Sequence, residues 1–147
     1  MTAHLGRYEM TFSGNKDYTL TTSFVASSAI RIAFTKKVTV FPYYTPGVGG
    51  TGNKLNYQIE INPYSAEEDP TNLYWSPVGD YIDSSGTWTE EPGTFLSLAG
   101  TASTQSNLVN LDLTDAANYQ LRIKAKETVG GGSAGTARFV VTTNTIN

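Results

Sequence analysis

LDLTDAANYQLRIKAKETVGGGSAGTARFVV, residues 111–141, carries the clearest strand pattern in the chain. Its centre alternates strictly, with Tyr119, Leu121, Ile123 and Ala125 on one phase and Gln120, Arg122, Lys124 and Lys126 on the other. A period of two is the mark of a β-strand with one buried face. The glycine-rich run VGGGSAG at 129–135 then breaks the pattern, and TARFVVTT resumes it with Ala137, Phe139 and Val141 inward. Upstream, Val109, Leu111 and Leu113 alternate with Asn110 and Asp112.

Working outward, the same period recurs. Ile30, Ile32 and Phe34 share a phase in AIRIAF, and Val38 and Val40 continue it beyond Lys36 and Lys37. KLNYQIEI places Leu55, Tyr57, Ile59 and Ile61 against Asn56, Gln58 and Glu60, which reads as a half-buried strand. LYWSPVGDYI and GTFLSLAG add two more, Pro77 confining the first to a sheet edge or a bulge. No segment of about 10–12 residues carries a helical apolar period behind a cap. Turn punctuation falls at 45–53, 62–72, 83–93 and 129–135. The expected core is Ile30, Ile32, Tyr57, Ile59, Leu111, Leu121, Ile123, Phe139 and Val141.

The stretch 111–141 resembles the E–F–G region of immunoglobulin-like and fibronectin type III-like domains, through the D-x-A-x-Y motif at Asp115, Ala117 and Tyr119 followed by strand, small-residue loop and closing strand. The resemblance implies an all-β, immunoglobulin-like antiparallel β-sandwich of about seven to nine strands. It further implies that Tyr119 is a tyrosine-corner residue, its hydroxyl bonding backbone a few positions upstream. The chain departs from antibody domains in lacking their cysteine pair and in placing Tyr57 where they carry tryptophan. Residues 1–147 are expected to form a single domain, since no linker or internal repeat divides them.

Composition limits the function classes. The net charge of -3 lacks the basic footprint of nucleic-acid binders, so no nucleic-acid partner is expected. Cysteine is absent, which removes disulfides and thiolate metal sites, and the one histidine is His4 near the start. A Ser-His-Asp or Cys-His constellation would have to be built on that residue. The carboxylates group at Glu67, Glu68 and Asp69, at Asp80 and Asp83, and at Glu90 and Glu91, all in turn-rich segments. A glycosidase needs two carboxyls about 5–10 Å apart across a cleft, whereas these read as solvated surface charge. Calcium shared by Asp80, Asp83 and Glu90 is the sharper alternative, but no EF-hand pattern accompanies it. No enzyme, cofactor or metal is expected.

MTAHLGRYEM has no basic segment followed by an apolar run of about 7–15 residues, and nothing approaches the ~20 apolar residues of a membrane span. Synthesis in the cytoplasm without a signal peptide, and no membrane partner, are therefore the expectations. The surplus is aromatic, with two tryptophans and nine tyrosines. Trp88, in the polar segment TWTEEPG, is a candidate exposed anchor. Arg122, Lys124 and Lys126 form a one-sided basic row that reads as a solvating or edge-protecting face.

In style, a cysteine-free sandwich rich in Thr, Gly and Tyr resembles the accessory or decoration proteins of bacteriophage particles. That resemblance implies a non-catalytic interaction module on the virion surface, made in the host cytoplasm, with viral capsid or tail proteins and further copies of itself as partners. In immunoglobulin-like connectivity the loops 44–53 and 129–135 share one end of the sandwich. The expected partner-binding residues are Tyr43, Tyr44, Trp88, Gly130, Gly131 and Gly132, the glycines lying flat against a partner and ordering on contact while the tyrosines anchor. The alternative is a carbohydrate-binding module that stacks sugar rings on Trp88, Trp75, Tyr43, Tyr44 and Tyr64.

Overall fold

The computed structural model describes residues 5–78, 81–83, 88–89, 96–99, 104–106, 108–113, 119–128 and 131–145, with backbone alone for 81–83, 88–89, 96–99 and 105. Four nine-residue strands frame it: β5 (Lys37–Thr45), β6 (Lys54–Asn62), β13 (Gln120–Thr128) and β14 (Thr136–Asn144). Short strands flank them: β1 (Leu5–Glu9), β2 (Tyr18–Thr19), β3 (Val25–Ala26), β4 (Ile30–Arg31), β7 (Ser76–Pro77), β8 (Tyr81–Asp83), β9 (Trp88–Thr89), β10 (Leu96–Ala99), β11 (Gln105–Ser106) and β12 (Val109–Asp112). All pairing is antiparallel.

The expected all-β antiparallel sandwich is what these strands build. One sheet runs β1–β14–β5–β12–β8–β9, with β2 continuing the β1 lane along β14 and β11 continuing the β12 lane along β5. The other runs β10–β6–β13–β3, with β4 and β7 extending its two edges. Among the described residues these lanes comprise fourteen strand segments, because single lanes are broken into short pieces. β5 beside β12 and β6 beside β13 reproduce the neighbours that strands B and E, and C and F, make in an immunoglobulin-like sandwich. The last strand takes a distinct place: β14 pairs with β5 and β1 in the sheet opposite β13. The lanes β1–β14–β5–β12 and β3–β13–β6–β10 therefore follow the double Greek-key order of a jelly roll.

Alternation sets the core. Val38, Val40 and Tyr44 of β5, Leu55, Tyr57 and Ile59 of β6, Leu121, Ile123 and Ala125 of β13, and Ala137, Phe139 and Val141 of β14 are all buried, and Val109, Leu111 and Leu113 join them. Of the expected core, Ile30 is the exception, half-buried on the edge lane beside β13. Phe34, read in phase with Ile30 and Ile32, is 85% exposed because the chain turns at Ile32–Thr35 instead of continuing as a strand. The N-terminal segment contributes more than expected: Met10 and Phe12 are fully buried, and Phe12 stacks on Tyr18 with ring centroids 4.7 Å apart.

β6 corrects a second reading. It is covered on both faces, Asn56 and Glu60 being buried as well as the apolar phase. Asn56 bonds Thr128 across the sheet, while Glu60 pairs with Arg122 at 2.8 Å and Trp75 lies over that guanidinium at 4.4 Å. Among the described residues no helix is long and apolar enough to cross a membrane.

Candidate functional site

β5 and β6 lie in opposite sheets, and so do β13 and β14, so the loops that join each pair cross the sandwich at the same end. There the two loops are bonded into one lobe. Ser133 N–H donates to Val48 O at 2.9 Å and Gly131 N–H to the Asn53 side-chain oxygen at 3.2 Å. Within the first loop, Gly50 donates to Gly47 O and Asn53 to Gly50 O, each at 2.9 Å. Gly132 has φ 73° and packs against the backbone of Val48 and Gly49 so closely that a β-carbon would overlap it. A β-carbon on Gly47 would likewise strike the carbonyls of Ser133 and Ala134. Backbone-to-backbone packing of this kind needs glycine on both sides. The described parts of the two loops are thus bonded to each other within one chain.

At the tip stands Val48, 86% exposed, beside exposed Gly49, Gly131, Gly132 and Ser133. Beneath the lobe the arrangement is sealed. Glu127 is buried at 2% exposure, accepts the Tyr44 hydroxyl at 2.5 Å, and accepts Gly135 N–H at 3.0 and 3.1 Å on its two oxygens. Burial, then the hydrogen bond to Glu127, then the charge of that carboxylate push the Tyr44 phenol well above its ordinary value. A phenol held in that state donates and does not ionise, so the pair ties β5, β13 and the start of β14 together under the loops.

The predicted partner-binding residues divide accordingly. Gly131 and Gly132 are exposed on the lobe, and Tyr43 is 37% exposed on the outer face of β5 opposite Arg138. Tyr44 is fully buried and cannot anchor a partner, because it shares the inward phase of Val38 and Val40. Gly130 and the Trp88 side chain lie outside the described residues. Val48 was missed, although it is the one apolar side chain in TPGVGGTGN after Pro46.

The alternative stacking platform is not assembled from the described residues. Trp75 has one face on Arg122, and Tyr64 tilts against Tyr74 at 4.9 Å beside the second sheet, whereas Tyr43 faces out from the first. The basic row is also engaged: Phe24 lies under Lys124 and Lys126 at 5.7 and 4.7 Å, and Arg122 holds Glu60. Asp69, read as surface charge, is buried at 2% exposure and accepts Asn62 Nδ2, Leu73 N–H and Tyr74 N–H at 2.7, 2.9 and 3.1 Å. His4, Asp80, Glu90, Glu91 and the Asp83 side chain lie outside the described residues. Tyr119 is 41% exposed, and residues 114–118, where its corner partner would stand, are outside them too.

No family model matches this chain, and no curated protein matches it. Among solved structures, one from Bacillus endospore appendages, described as a family of disulfide-linked pili, aligns over 97% of this chain and 87% of its own at 15% identity and a TM-score of 0.41. The Arthrobacter globiformis T6 isomalto-dextranase complexed with panose aligns over 94% of this chain at 10% identity and a TM-score of 0.43, and this chain spans 23% of its length. Neither likeness bears on function.

Proposed function

We propose that this chain is a non-catalytic interaction module, an accessory or decoration protein of a bacteriophage particle that attaches to a capsid or tail protein, and to further copies of itself, through the glycine lobe. The observation that carries the reading is Val48, held 86% exposed on a lobe whose two loops are already bonded to each other. An apolar tip on a preassembled surface loses little conformational freedom when it is covered, so more of the contact energy appears as affinity. The surrounding glycines leave little side-chain bulk, which lets a partner's backbone approach closely. Placement on a phage particle rests on the style of the sequence.

The test is attachment of purified protein to capsid and tail particles that lack it, together with light scattering of the protein alone. Val48→Asp would place a charge in the desolvated centre of the contact and should weaken attachment at least about tenfold, with the melting temperature nearly unchanged. Attachment undiminished by that change would overturn the site. Attachment displaced by a soluble sugar would instead favour the carbohydrate-binding reading.

A further inference from the structure

The end of the sandwich opposite the glycine lobe carries a residue that neither the core nor the backbone explains. Phe34 is the third residue of the turn Ile32–Thr35, closed by Thr35 N–H to Ile32 O at 2.9 Å, and its φ is 67°. A turn with positive φ at that position only is the type II form, which favours glycine or asparagine there because a β-carbon crowds the backbone. The other non-glycine residues with positive φ among the described residues, Ser13 and Asn72, are small and polar. Phenylalanine has neither property, and at 85% exposure its ring gains nothing from burial. Local geometry and solvation both argue against it.

Strain kept at one exposed position points to a contact made elsewhere. The surroundings say what kind. Phe34 borders a hollow of about 350 Å³ between β1 and the turn, shared with Leu5, Tyr8 and Arg31, and Leu5 and Tyr8 are 79% and 39% exposed. Arg7, Arg31, Lys36 and Lys37 ring this end, four of the chain's ten basic residues, and none forms an ion pair among the described residues. Asp112, across from Lys37, Glu67, beside Arg31, and Glu9, two residues along β1 from Arg7, are the acids that border them among the described residues, and Glu9 is already paired with Lys16 and Arg138, so positive charge is in excess there.

We propose that Phe34 is the anchor of a second docking surface, which takes an acidic polypeptide segment bearing an apolar side chain. The segment's apolar group packs on Phe34 and Leu5 in the hollow, and its carboxylates meet Arg7, Arg31 and Lys37. The surface is independent of the glycine lobe, so its failure and that of the lobe are separately visible.

The experiment uses a fluorescein-labelled random copolymer of glutamate and tyrosine as the probe, read by anisotropy, alongside thermal melts. Wild type should bind it. Phe34→Gly should weaken binding at least about fivefold while raising the melting temperature by about 3–6 °C, since the turn is relieved of strain. Phe34→Asn, which also tolerates the turn, should lose binding too, and Arg31→Glu should weaken binding and flatten its salt dependence. Undiminished binding by Phe34→Gly, or a lower melting temperature, would overturn the proposal. So would equal binding of heparin, which would make the patch a generic anion surface, or a dimer that dissociates on Phe34→Gly, which would make the occupant a second copy.

Discussion

Gly135 shows how tightly a single position can be constrained without any unusual backbone angle. A β-carbon there would lie 2.5 Å from Glu127 Oε2, 2.7 Å from Tyr44 Cε1 and 2.9 Å from Thr45 O, so alanine must displace the buried carboxylate or the strand. Overpacking costs about 1–3 kcal/mol, and leaving a buried polar group without its partner adds about 1–3 kcal/mol. Gly135→Ala should therefore destabilise the fold by about 2–5 kcal/mol in chemical denaturation; a loss under half a kcal/mol would mean that Glu127 moves freely. Phe34 is the converse case, a side chain whose removal should stabilise. Left-handed backbone at a residue with a β-carbon costs about 1–2 kcal/mol, and no burial offsets it. Both positions were visible as letters in the sequence, but neither role was, because each depends on what surrounds the residue in space.

At the scale of the element, the segment between β6 and β7 is organised by Asp69. Burial raises the pKa of its carboxyl, but the Leu73 and Tyr74 amides, the Asn62 side chain and the charge of Arg122 outweigh burial and hold the group below the usual aspartate value. A carboxyl depressed in the folded state stabilises the protein at any pH above its unfolded pKa of about 3.9, and that contribution is lost as pH falls through the folded pKa. Melting temperature should thus be flat from neutrality to about pH 5 and decline below about pH 4. Asp69→Asn should lower stability at neutral pH and make the acid decline shallower, though not abolish it, since Glu9 and Asp17 are also held low, first by their side-chain bonds to Lys16 and Arg138. Melts from pH 7 to about pH 2.5 decide this, and an unchanged acid limb in the variant would remove Asp69 from the account. The same segment, through Trp75 on Arg122, lies over the ion pair that Arg122 makes with Glu60, a buried residue on the phase of β6 whose letters read as exposed.

At the scale of the molecule, the nine-residue strands β5, β6, β13 and β14 set the distance between the two ends at about 30 Å, from a rise of about 3.3 Å per residue. Sites so far apart with no shared partner act independently. The double variant Val48→Asp/Phe34→Gly should show stability changes that sum within about 0.5 kcal/mol, with particle attachment and copolymer binding lost separately; coupling beyond that would mean that the core transmits between them. The chain's letters determined that it is an antiparallel sandwich and which phase of β5, β13 and β14 is buried, because a period of two acts over a few residues, whereas the shared end of loops 44–53 and 129–135 followed only from the resemblance to immunoglobulin-like connectivity. Tyr44 shares the phase of Val40 and is buried with it, so it does not serve as the expected anchor. Tertiary structure alone decided that β14 crosses to the sheet opposite β13, that Asp69 and Glu127 are buried acids, and that Phe34 projects into solvent. Each of these depends on partners remote in sequence. Asn62 and Gly135 supply hydrogen bonds, and the hollow between β1 and the turn forms only once the two sheets have packed.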